Sequence, residues 1–175
     1  MPNPKTTMTF AFWMVVSWVV MCVTHEIGHI IGGFIGGAEL TDFDLAPWRL
    51  PYSIHQPDPV PRLTLWSGPI FGVVAPLVIA SVLRYRWAWL VADFCVLANG
   101  SYLALAWVSG DPLLDTPRML SAGVSPWTIG LYCLVTIAAG YVLFRRDCIR
   151  FFESASNASK PDGTDAPPKP SSQIS

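Results

Sequence analysis

His25, Glu26 and His29 stand in the pattern H-E-x-x-H, inside the stretch VTHEIGHIIGGFIGG that runs from Val23 to Gly37. On a helix, residues four apart project from one face, so both imidazoles can reach a single metal ion. The carboxylate of Glu26 lies beside them, placed to take a proton from a water that the metal activates. The chain has three histidines in all, and two of them are here. Apart from Thr24, the surrounding residues are apolar or glycine. The competing reading is a pair of packed core histidines with a buried glutamate. Ionisable groups at membrane depth are costly and mark function, which argues against that reading.

The elements that must carry this motif are apolar. Of 175 residues, 52% are hydrophobic and 13% charged, and the mean hydropathy is +0.43. A soluble domain has about 25% charged residues. The shortfall lies in long apolar runs and defines a polytopic membrane protein. A net charge of −1 carries no sign of nucleic-acid binding. No two of the four cysteines form a C-x-x-C pair, so neither a disulfide framework nor a zinc knuckle is indicated. Cys22 shares the helix face of His25 and His29 and reads as a small buried hydrophobe, with a soft-ligand role as the alternative.

A spanning helix needs about 20 largely apolar residues. Four stretches qualify: Met8 to Ile35, Leu63 to Leu83, Ala88 to Val108 and Pro126 to Phe144. The expected fold is an all-α membrane protein of about four transmembrane helices, with a metal site between helices. The first run contains the motif and is too long for the apolar region of a cleavable signal peptide. Its glycines at 28, 32 and 36 form a small-x-x-x-small row, which admits a second helix at close range or leaves room for a substrate strand. Pro69 and Pro76 are expected to kink or break the second helix. In the third helix Asn99 is placed to bond a neighbouring helix or a substrate backbone.

Between the first two spans, Ala38 to Arg62 holds five prolines with Trp48 and Tyr52, which opposes a long helix. His55 reads there as an exposed loop histidine. Residues 1–152 are expected to form the membrane domain and 153–175 a disordered cytoplasmic tail, since beyond Phe152 the composition turns to Ser, Asn, Pro, Lys and Asp.

Two histidines leave a catalytic zinc site one protein ligand short. The segment GDPLLDTPRML, Gly110 to Leu120, offers Asp115 and Asp111. Asp115 before Thr116-Pro117 also reads as a helix N-cap. Placing Glu26 and one aspartate in the membrane costs about 5–7 kcal/mol. Structural zinc sites yield about 10–16 kcal/mol, enough to offset it. Zn2+ is the expected cofactor, as two histidines and a carboxylate suit it in hydrolases.

On THEIGH at Thr24 to His29 and PLLDTPRML at Pro112 to Leu120, the chain resembles the site-2 protease family of intramembrane zinc metalloproteases. SGPIFG at Ser67 to Gly72 is similar to the small-residue segment of the family's following helix. The resemblance implies peptide-bond hydrolysis of a transmembrane protein or peptide, with Glu26 as base and His25, His29 and an aspartate as ligands. Asp115 matches the family's L-D-G aspartate, although Thr116 replaces the glycine and Asn99 lies farther upstream than the family's asparagine. Asp111 is the rival ligand. These 175 residues offer no segment matching the PDZ-like domain of larger members, so a minimal form is expected. The second reading is a non-proteolytic, metal-binding membrane adaptor of the same architecture.

Lysine and arginine at the helix ends set orientation. Lys5, Arg84, Arg86, Arg145, Arg146 and Arg150 fall on one side of four spans, and Arg49, Arg62 and Arg118 on the other. Both termini are therefore expected in the cytoplasm, in the plasma (inner) membrane of a multi-pass protein. Reporter fusions after Gly37, Arg86, Ala122 and Phe152 should read out, in, out and in. An outside signal at the last fusion would reverse the orientation.

Overall fold

The computed structural model describes residues 4–158. Its order is α1 (Pro4–Ile35), β1 (Leu40–Asp44), β2 (Tyr52–His55), α2 (Pro61–Leu83), α3 (Arg86–Ser109), α4 (Asp115–Ser121) and α5 (Pro126–Ala158). α1, α2, α3 and α5 are each long and apolar enough to cross a membrane. The chain is an all-α membrane protein with one small hairpin, as its apolar runs require.

Only a stripe of α1 is buried. Ser17, Met21, His25, Gly28 and Gly32 recur every three or four residues and face the bundle, while Phe12, Val15 and Phe34 point outward. Outward apolar side chains are the normal lipid-facing surface of a spanning helix. α1 packs against α2 through the glycine row. A Cβ on Gly28 would lie 2.7 Å from Phe71 Cβ and 2.8 Å from Gly68 Cα, and one on Gly32 would overlap Ser67. Lipid is as apolar as a leucine side chain, so close contact between small residues drives this pairing. The row therefore seats a helix.

α2 runs unbroken through Pro69 and Pro76, so neither proline ends it as expected. Both lie on its buried face beside Gly68 and Gly72, and Tyr132 on α5 donates to the Pro69 carbonyl at 2.8 Å. Neighbouring helices can supply such partners to proline-bearing membrane helices.

α1 stops at Gly37, whose φ of 75° suits glycine, and the Ala38 N–H caps the Gly33 carbonyl at 2.8 Å. The proline-rich stretch beyond is an antiparallel hairpin, with Phe43 opposite Ser53 and Asp44 opposite Tyr52. Strand alternation buries Ser53 and His55 and leaves Tyr52 and Ile54 outside. His55 is thus buried, correcting the reading of an exposed loop histidine. It fills the space left by the missing side chain of Gly33.

α4 is short but firmly seated. Met119 is fully buried in a cluster with Leu65, Leu103, Val124 and Ile129, the Thr116 hydroxyl donates to the Leu103 carbonyl at 2.7 Å, and Arg62 Nε donates to the Ala122 carbonyl at 2.8 Å. α5 continues past Phe152 to Ala158. The first six residues of the expected tail are therefore helical, and residues 159–175 lie outside the described part. Phe10 on α1 packs against Phe151 and Phe152, with ring centroids 5.5 Å and 5.0 Å apart. That contact holds the last turns of α5.

Gly28→Ala should destabilise the protein by about 1–3 kcal/mol, because its methyl meets backbone as well as side chain. Gly130→Ala, whose Cβ would lie 3.8 Å from Trp107, should be neutral or slightly stabilising as a helix-interior glycine. Thermal unfolding in detergent checks the pair.

Candidate metal centre

His25 and His29 lie one turn apart on the buried face of α1, with ring centroids 4.8 Å apart and planes at 74°. The Nδ1 of His25 lies 2.7 Å from Asn99 Oδ1 on α3. Asn99 Nδ2 donates to the Cys95 carbonyl at 2.9 Å, which fixes the amide so that its oxygen faces the imidazole. His29 Nδ1 lies 2.8 Å from the Thr64 carbonyl on α2. An oxygen that only accepts requires Nδ1 to carry the hydrogen, which leaves Nε2 of each ring, when neutral, as a lone pair. A ligating histidine is held this way when an outer partner sets its tautomer.

Both lone pairs converge on one carboxylate oxygen. Asp115 Oδ2 is 2.8 Å from His25 Nε2 and 3.2 Å from His29 Nε2, and the two nitrogens are 3.1 Å apart. Ligand atoms about 2.0–2.2 Å from a tetrahedral ion lie about 3.3–3.6 Å from one another. The observed triangle, with sides of 2.8, 3.1 and 3.2 Å, is close in shape to one face of such a tetrahedron but smaller, so these atoms could hold a metal ion. Burial pushes the Asp115 carboxyl up, but the positive charge that His29 and His25 carry when protonated pulls it down and prevails, holding it well below the usual carboxylate range.

Asp115 occupies the first position of α4, and its carboxylate turns to the histidines. The cap position belongs to Leu114, so the N-cap reading of Asp115 does not hold. Asp111 is exposed, and its Oδ1 accepts from the Leu113 N–H at 3.0 Å within the turn after α3. It is not part of the cluster. Cys22 is also outside it, packed with Met21, Val91 and Cys95 as a buried hydrophobe.

Glu26 is buried beside the histidines and accepts from the Ser53 hydroxyl at 3.0 Å. A cavity of about 390 Å³ opens here, bounded by Glu26, His29, Asp115, Tyr102 and the hairpin strand from Tyr52 to Ile54. Tyr102 closes another side, with its ring edge-on to His25 at 5.3 Å. Room for His29 comes from Gly68, where any Cβ would strike the imidazole.

His55 is not in the cluster. Neither ring nitrogen has a hydrogen-bond partner among the described residues, and burial pushes its pKa down. Of the residues around the centre, Asn99 carried a usable sequence signal, an amide in an apolar run. Gly68 stood in the small-residue segment Ser67 to Gly72, though not as the room for an imidazole, and Ser53 and the Thr64 carbonyl carried no signal, since their roles exist only once the helices pack.

Comparison with protein-family models, with curated proteins and with solved structures found no match.

Metal titration of the purified protein tests the geometry. Asp115→Ala and His29→Ala should each lose most of the affinity, because each removes a bond to the ion. Asn99→Ala should weaken binding about 10–100-fold, as loss of an outer partner does. Asp111→Ala should change it by no more than about 0.5 kcal/mol, as a surface substitution.

Proposed function

We propose that the protein is a minimal intramembrane zinc metalloprotease. The observation that carries this reading is the convergence of His25 Nε2, His29 Nε2 and Asp115 Oδ2 within 3.2 Å, with the Glu26 carboxylate lining the same cavity as His29 and Asp115. Binding a metal needs only the ligands. A second carboxylate, separate from the three ligands and held at the cavity, is what hydrolysis requires in addition.

Zinc held by the three ligands would supply a Lewis acid for the scissile carbonyl and a hydrolytic water at neutral pH. The protein's own groups do the rest. Glu26 takes the proton from the attacking water and returns one to the leaving amine. Ser53 fixes the Glu26 carboxylate by donating to Oε2. Asn99 and Thr64 keep both imidazoles in one tautomer. The cavity lies between apolar helices and beside the hairpin, which suits an unwound segment of a transmembrane protein or peptide as substrate. The protein would sit in the plasma (inner) membrane with both termini cytoplasmic, which places the centre in the outer half of the bilayer.

The experiment uses reconstituted protein and a fluorescent library of single-span transmembrane peptides. Wild type should cut members of the library, lose that activity to a zinc chelator and regain it with zinc. Glu26→Gln should keep the metal and lose at least about 100-fold in rate, since general-base catalysis contributes about 10²–10⁴-fold. Near-normal turnover by Glu26→Gln would remove Glu26 as base. Stoichiometric zinc with no cleavage of any member would favour the metal-binding adaptor.

A further inference from the structure

A second cavity, of about 440 Å³, lies between α3 and α5. It sits at the end of the bundle away from the histidines, where α3 begins and α5 finishes. Its lining combines Arg86, Arg146 and Arg150 with Trp89, Leu90 and Phe151. Three guanidiniums stand against a single lining carboxylate, Asp147. We propose that this cavity binds the headgroup of an anionic phospholipid.

Each arginine is held in place by the fold. Arg86 Nη1 donates to the Ser154 hydroxyl at 2.7 Å, and no carboxylate pairs with Arg86 among the described residues. Arg146 reaches Asp147 at 3.2 Å and the fully buried Asp93 at 3.8 Å. Arg150 lies 3.8 Å from Asp147. The two carboxylates therefore anchor Arg146 and Arg150 toward the helices, and Arg86 faces them with its charge unopposed. Guanidinium forks match phosphate geometry, which makes an anionic phosphate the complementary ligand.

Two observations make the phosphate part of a lipid. The floor of the cavity is apolar, with Leu90 buried and Trp89 and Phe151 half-buried, so it accepts a glycerol backbone and the first acyl carbons better than a hydrated ion. The surrounding residues also mark the membrane–water boundary. Trp13 stacks on Trp87 at 4.8 Å and Trp87 on Tyr85 at 5.7 Å, and such aromatic belts sit at headgroup depth. Basic pockets between transmembrane helices at this depth recognise anionic headgroups.

The test is native mass spectrometry and thermal unfolding of the full chain in neutral detergent, with added phosphatidylglycerol, phosphatidylcholine or inorganic phosphate. Phosphatidylglycerol should be retained and should raise the unfolding temperature, and the other two should do neither. Arg86→Gln/Arg150→Gln should weaken phosphatidylglycerol binding at least tenfold with the metal content of the centre unchanged. Arg86→Gln alone, an exposed change that leaves the Asp93–Arg146–Asp147 set intact, should give a smaller loss and keeps the test readable if the double variant is unstable. Equal retention of both lipids, or wild-type phosphatidylglycerol binding by Arg86→Gln and the double variant, would overturn the proposal. Full competition by inorganic phosphate would replace the lipid with a free anion.

Discussion

The structure turns on one constraint: polar groups sunk between apolar helices are costly unless they find partners within the protein. His25 and His29 meet it by reaching out of α1 on both sides. One Nδ1 is taken by Asn99 on α3 and the other by Thr64 on α2. Those bonds leave two lone pairs and a carboxylate oxygen facing each other across no more than 3.2 Å. Such a grouping repels itself unless a cation stands among the three, be it a proton or a metal. The same bonds that orient the rings therefore create the demand for positive charge.

That arrangement constrains how the helices pack. The Thr64 carbonyl reaches His29 only if α2 lies against α1 at backbone distance, which the glycines at 28, 32 and 68 allow. Gly68 has a double part, since it permits the approach and vacates the volume that the His29 ring fills. Gly72 does the same for Asn99, as a Cβ there would lie 2.6 Å from Oδ1. Each of these two glycines of α2 thus faces one polar side chain of the centre. The row G-P-x-x-G at Gly68 to Gly72 is a mould for the centre as much as a packing surface.

What the sequence made legible follows from this. The four spans were readable because about 20 apolar residues have few alternatives in a bilayer, and His25, Glu26 and His29 were readable because their spacing matches a helical turn. The hairpin was hidden because β1 is exposed along nearly its whole length and carries no alternation of its own. Its register depends on the α1 face that buries Ser53 and His55, so His55 read as a loop residue. Asn99 read as one more interhelical bond, since the sequence alone does not rank its partners. The helical start of the expected tail, residues 153–158, was hidden for a similar reason. Composition changes after Phe152, but Phe10 from the far end of the chain supports that turn.

Asp115 and Asp111 show how a fold chooses between residues that sequence leaves level. Both lie in a polar turn beside prolines, and local chemistry suits either as a ligand. Gly110, at φ 67°, ends α3 in the left-handed conformation, and the Asp111 side chain is then spent on the turn that follows. Asp115 begins a helix whose rotation is set one turn later by Met119, a neighbour on the same face that is fully buried. The buried hydroxyl of Thr116 ties α4 to the Leu103 carbonyl. With Met119 plugged into the core and Thr116 bonded to α3, α4 cannot turn without losing both contacts. Its first side chain is therefore held toward the histidines. Thr116, by fixing α4 against α3, thus helps to aim the carboxylate.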